Sequence, residues 1–372
     1  MARPLADLWA LIRQPGEAAG LSPADWNRLI RLARREFVLG RLAATLADEA
    51  AIWSGLPEKV RAIMQGALRE VAFRQTRLMW EVDRLAYALR GLDTPVLLLK
   101  GAAYLGAGLQ AGRGRIAADL DILTDRSHLQ LIEDALTAHG FAPEPHDDYD
   151  EQYYRAWMHE LPPLRHQARG TVIDVHHAIL PLTARPRPDT GLLLAASVAC
   201  GETGFRRLGD HDLFIHSAVH LFHDGEFING LRNLIELHDL IVEFGQRPGF
   251  FEGLMARARS LGLARYAAYG LRQAHRLLAA PVPATVMASA KADLPPPPML
   301  WLMDGLFGQA LMAVDLPRGR PRVMLAQRLL YLRSHWLRMP PVMLTRHLAR
   351  KSLKRWTGKA PPAPPAIAKN DR

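Results

Sequence analysis

A single cysteine, Cys200, occurs in 372 residues. That excludes an internal disulfide and most thiolate metal sites, and it fits a reducing compartment such as the cytoplasm. Long hydrophobic runs are missing too. The best of them, such as Leu192 to Cys200, reach half of the roughly 18 residues a bilayer span needs. The opening residues MARPLADLWALIRQPGEAAG lack the charged start and apolar core of a secretory leader. The C-terminal end lacks acid. Between Leu316 and Asn370 nine Arg and four Lys face no Asp or Glu, so this segment carries +13 while the other residues sum to −3. Basic charge held at one end, and absent from the body, weighs against a nucleic-acid partner.

Hydrophobic periodicity supplies most of the organisation. Ser22 before Pro23 pairs an N-cap with a first helical residue, and Trp26, Leu29, Ile30 and Leu32 begin an apolar stripe. Further stripes run through Val60, Ile63, Leu68, Val71 and Leu78, then Val82, Leu85 and Leu89. From Leu92 the pattern becomes mixed. It predicts strands at Val96–Leu99, Asp119–Leu123 and Val172–Ala178, helices at Ala102–Gln110 and Ser127–His139, and a further strand within Tyr149–Leu164. Ser127 is the expected cap and Gly140 the expected stop of the second helix. Prolines at 181–188 and 295–298 punctuate a return to helix.

The reading is an α+β fold in which a small mixed sheet is embedded between helical regions. Its expected parts are an N-terminal helical region over 1–92, a core over 93–185, a helical domain over 186–294 and a basic amphipathic tail over 295–372, disordered at its end.

Chemistry concentrates in two stretches of the core. In Ala118-Asp119-Leu120-Asp121-Ile122-Leu123, alternation at period two puts both carboxylates on one face of a strand, where they repel each other unless a cation sits between them. Asp174, within Val172-Ile173-Asp174-Val175, offers a third carboxylate of the same kind. Later, His216, His220 and His223 share one helical face, which suits structural or anion-facing roles better than zinc. Arg232, Glu236 and Asp239 recur at helical spacing, as on an ion-paired surface.

Lys100-Gly101-Ala102, Arg115 ahead of Asp119-x-Asp121, and Asp174-x-His176 together resemble the uncharacterised bacterial nucleotidyltransferase family of the polymerase-β-like superfamily. The resemblance implies Asp119, Asp121 and Asp174 as catalytic ligands of Mg2+ or Mn2+. It implies Lys100, Gly101, Ala102 and Arg115 as nucleotide-binding, and His176, His220, Arg232 and Asp239 as lining the cleft. The implied reaction moves a nucleotidyl group from a nucleoside triphosphate to a hydroxyl on a small molecule, peptide or protein. One departure is Gly101-Ala102 where the superfamily commonly has Gly-Gly or Gly-Ser, which removes a hydroxyl contact to phosphate. The alternative is therefore a module that keeps the fold without turnover and serves in binding or regulation.

In the tail, basic residues alternate with Leu325, Leu329, Leu330, Tyr331, Leu332, Trp336, Leu337, Leu344, Leu348, Leu353 and Trp356, and Pro340-Pro341 splits two helices. Such helices lie on anionic membranes, dock on acidic proteins, line an anionic substrate site or simply stay solvated. The expected location is the cytoplasm, with the inner face of the membrane as a peripheral site.

Overall fold

The computed structural model describes residues 4–144, 157–223, 227, 229–312 and 321–338. Five helices come first: α1 (Pro4–Arg13), α2 (Pro23–Arg35), α3 (Leu39–Ala47), α4 (Ala50–Gly55) and α5 (Glu58–Ala88). Ser22 caps α2 as expected, and Asp25 answers it in a reciprocal capping box. The two stripes read separately between Val60 and Leu85 lie on the single 31-residue helix α5, which buries Val60, Met64, Val71, Leu78, Val82 and Leu85.

The central sheet is mixed and has seven short strands, ordered β3-β4-β5-β2-β1-β7-β6. These are β1 (Leu97–Leu98), β2 (Leu120–Leu123), β3 (Phe141–Pro143), β4 (Leu164–His166), β5 (Val172–His176), β6 (Val198–Ala199) and β7 (Arg206–Arg207). β2 runs antiparallel to β1 and parallel to β5. The last two strands come from beyond residue 185 and attach through β7 beside β1.

Helix α6 (Lys100–Gly106) follows β1 after one residue, the extended N-cap Leu99. It ends earlier than the expected Gln110, because Gly106 and Gly108 flank its C-terminus and Gly108 adopts φ +64°, a left-handed stop. Helix α7 (Leu129–Ala138) starts two residues after the expected cap. Asp125, and not Ser127, is the capping side chain: it accepts from the Ser127 N–H at 2.8 Å and opens a 3-10 turn first. Gly140, at φ +88°, terminates α7 as expected. Of the strand expected within Tyr149–Leu164, residues 149–156 lie outside the described residues, and Leu164 begins β4.

The remaining helices are α8 (Thr190–Ala195), α9 (Asp210–His223), α10 (Gly230–Phe244), α11 (Phe250–Ser260), α12 (Ala264–Leu278), α13 (Ala284–Lys291), α14 (Pro297–Met312) and α15 (Pro321–Arg338). α9, α10 and α12 pack on one another, and α10 also packs on the turn at Gln110–Gly112 next to the sheet. α15 is docked: Val323, Ala326, Leu330 and Ser334 are buried, and Arg333 donates to the Phe222 carbonyl at 2.8 Å. The second tail helix expected after Pro341 lies outside the described residues. No described helix is long and apolar enough to cross a membrane.

Candidate active site

Parallel pairing of β2 with β5 sets Asp121 directly opposite Asp174. Side chains at paired positions of neighbouring strands point to the same face, so the register brings the second and third acids of the sequence pattern together. Asp119 stands one residue before β2, at the exposed lip of the same strand end. Antiparallel pairing of β1 with β2 places the start of α6 on the other flank.

Lys100 is the first residue of α6 and adopts φ +44°. A left-handed non-glycine residue costs on the order of 1 kcal/mol and persists when its surroundings hold it. Here the ammonium donates to Asp121 Oδ1 at 2.5 Å, so Lys100 is neither a plain solvated charge nor an unengaged phosphate ligand. Burial works against both charges of this pair, and their mutual attraction outweighs it. The Lys100 pKa lies above its ordinary value, and that of Asp121 is held well below the carboxylate range, with His176 assisting.

His176 ends β5 and is buried. Its Nε2 lies 3.1 Å from Asp121 Oδ1 and its Nδ1 lies 3.2 Å from Glu160 Oε2. Burial disfavours the imidazolium, but the two carboxylates outweigh burial and raise the pKa. Glu160 and its neighbour His159 did not emerge from the sequence. They reach the site through an isolated bridge between Glu160 and His176, in a stretch with no periodic pattern. Adjacent His-Glu is the one signal that could have drawn attention to them.

Asp174 is the group left unsatisfied. Its Oδ1 is buried and has no hydrogen-bond partner among the described residues. Burial, followed by the Asp121 and Glu160 charges, pushes its pKa up to about 7. Asp119 is raised as well, by desolvation and then by Asp121. An orphaned carboxylate oxygen among several acids, with pKa values raised by like charge, is what a hard divalent cation would relieve. The donor set therefore fits Mg2+ or Mn2+.

The acids are not drawn tightly together. Among the described residues, the group whose ligand atoms all lie within 4.8 Å of one another is His159, Glu160 and His176. That group adds imidazole nitrogen beside the carboxylates, a donor type that Mn2+ accepts more readily than Mg2+. The trio His216, His220 and His223 forms no such group among the described residues. His216 is buried, and burial together with the Lys100 charge drives its pKa down to about 3, so it stays neutral. His223 is fully buried, edge-on to Tyr266 at 5.4 Å, and His220 is half-buried on the same helix.

The other expected residues take up places behind the acids. A Cβ on Gly101 would lie 2.0 Å from Arg115 Nη1, so glycine is required here to admit a guanidinium, whatever it does for phosphate. Ala102 is buried in the core. α6 has seven residues, which makes its first turn a weak dipole for phosphate. Arg115 donates to Glu236 Oε1 at 2.7 Å and packs over the Tyr104 ring. Arg232 lies 3.5 Å from the same Glu236 oxygen, and Asp239 pairs with Arg41 at 2.9 Å. The ion-paired surface expected on α10 is instead a buried network, since Glu236 and Asp239 are both buried. With Arg41, Arg113 and Arg115 these groups line a cavity of about 20 Å³, room for roughly one water and no cleft for a nucleotide.

Against known protein families, residues 22–279 match a family model described as uncharacterised nucleotidyltransferase. The matched span begins at the cap of α2 and runs to the residue after α12, so it contains the whole sheet and every site residue named above. No curated protein and no solved structure matches the chain.

Proposed function

The chain belongs to the uncharacterised nucleotidyltransferase family, and from that premise we propose a metal-dependent transfer of a nucleotidyl group from a nucleoside triphosphate to a hydroxyl acceptor. The observation that carries the reading is the register-matched Asp121–Asp174 pair, with Asp119 at its lip and one buried Asp174 oxygen left without a partner among the described residues. In the reaction the acceptor oxygen forms a bond to the α-phosphorus, the bond from that phosphorus to the β-phosphate bridging oxygen breaks, and pyrophosphate leaves. Bound Mg2+ or Mn2+, held by Asp119, Asp121 and Asp174, would supply charge neutralisation of the triphosphate and a Lewis-acid contact for the incoming oxygen.

The chain's own groups account for the rest. In this reading Asp174 Oδ1 takes the hydroxyl proton, since among the described residues no protein donor competes for it. Lys100 and His176 both hold Asp121 Oδ1, which fixes the carboxylate. Arg115, buttressed by Glu236, holds a fixed guanidinium behind Gly101, from where its charge would act on the triphosphate without contact.

A second reading is a nucleotide-binding or regulatory module without turnover. It is favoured by the Lys100–Asp121 contact, in which an ammonium already occupies an oxygen of the proposed bridging acid. Pyrophosphate release with each of the four triphosphates, Mg2+ or Mn2+ and a panel of alcohol, sugar and peptide hydroxyls separates the two. Turnover that vanishes in Asp121→Asn, and that falls by orders of magnitude in Asp174→Asn while triphosphate still binds, is the expected result. Silence across the panel with intact triphosphate binding would leave the second reading standing.

A further inference from the structure

We propose that α14 and α15 form a docking face for an anionic lipid bilayer. α15 is apolar on two opposite sides. Its buried stripe, Val323, Ala326, Leu330 and Ser334, is spent on the protein. Roughly half a turn away, Leu325, Leu329, Leu332 and Trp336 recur at i, i+4, i+7 and i+11 and are 57, 41, 59 and 64% exposed. A helix with one apolar stripe needs one partner, whereas a helix with two needs a second. Arg322 and Arg328, both exposed, flank the outward stripe on its two sides. α14, packed against α15, adds Trp301 at 79%, turned away from the buried Met303, Phe307 and Leu311.

Charge selects the occupant. α15 contains no acid, and the one acid of α14, Asp304, is taken up by Arg272, Gln273 and Arg276. The segment Leu316–Asn370 carries +13, so pairing this face with a second copy would bring two such segments together. Beside the C-terminal end of α15, a cavity of about 450 Å³ is lined by Arg185, Arg259, Arg265, Asp293 and Leu337. Arg259 pairs with Asp293, while Arg185 and Arg265 have no acid partner among the described residues. Protruding Trp and Leu side chains flanked by cations suit a yielding apolar medium beneath a negative surface, and two exposed Trp rings sit well at the headgroup level.

The test is co-sedimentation of the full chain with vesicles of phosphatidylcholine alone and with 30% phosphatidylserine. Binding to the anionic vesicles only, weakened at least tenfold at 0.5 M salt and at least tenfold in Leu329→Ser/Trp336→Ala, is expected, with the variant's melting temperature unchanged. A Leu330→Ala variant, on the docked side, should instead melt earlier. Absence of anionic-vesicle binding would overturn the proposal, as would binding indifferent to Leu329→Ser/Trp336→Ala. A wild-type dimer that the same variant splits would assign the face to a second copy and overturn it equally.

Discussion

Replacing Asp174 by Asn removes one titration from the folded state, and the structure sets both its sign and its size. The Asp174 pKa is raised from 3.8 to about 7. At 1.36 kcal/mol per unit this bounds the penalty for an ionised, cation-free Asp174 at about 4 kcal/mol. Partial exposure and local relaxation reduce the expected figure to about 1–3 kcal/mol. Because the folded pKa is the higher one, the folded protein holds a proton that the unfolded chain has already released. The associated stability is fully present below about pH 3.8 and is lost as pH rises through about 7. Thermal melting of wild type and Asp174→Asn in a chelator, at pH 5 and pH 8.5, should therefore show the variant gaining on wild type by a few degrees at the higher pH. Adding 10 mM Mg2+ at pH 8.5 should stabilise wild type more than the variant, since a bound cation replaces the missing proton. Asp121 does not confuse the result, because its lowered pKa confines its loss of stability to acid pH, and both proteins share it. A wild-type to variant difference that stays constant from pH 5 to 8.5 would refute the crowding of like charges on which the metal assignment rests.

Two further outcomes test the support behind the acids. Arg115→Ala leaves the buried Glu236 with Arg232, at 3.5 Å, as its cation partner among the described residues and should cost about 3–5 kcal/mol in urea unfolding; a loss below about 1 kcal/mol would show that Glu236 is adequately paired without it. Gly101→Ala forces the Arg115 guanidinium to move and should cost about 1–3 kcal/mol, and Gly101→Ala/Arg115→Ala should fall clearly short of the sum of the single effects, so strict additivity would argue against the contact.

The acids were legible in the sequence because a strand repeats every two residues. Asp119-x-Asp121 and the isolated Asp174 stand among apolar neighbours, and once β2 and β5 pair in parallel they share a face. Glycine stops were legible for the same local reason, as at Gly140. Pairings set by tertiary packing were not. Nothing in the period of α10 says that Glu236 and Asp239 are buried, because the arginines that make burial tolerable, Arg41 and Arg115, come from distant parts of the chain. Glu160 was hidden because the segment bearing it has no regular hydrogen-bonding pattern beyond one bridge. The tail could be read as amphipathic, but only its docking on Phe222 and beside Thr183 reveals that α15 has two apolar sides and that one of them is already used.

Charge balance explains why the helices must close over this sheet. The site gathers Asp119, Asp121, Glu160 and Asp174, and the cations among them are Lys100 and the imidazole of His176, whose pKa is raised. Among the described residues, the helical layer sets neutral or acid-paired groups behind these acids. α9 supplies His216, which Lys100 and burial keep uncharged. α10 supplies Glu236, which holds Arg115 against Gly101 and away from Asp121. The result is a buried Asp174 oxygen without a partner among the described residues, and a guanidinium fixed behind Gly101. Without α10, Arg115 would lose Glu236 and keep the weaker attraction of Asp119, which already acts on it. The helices beyond the sheet are thus part of the electrostatics of the site.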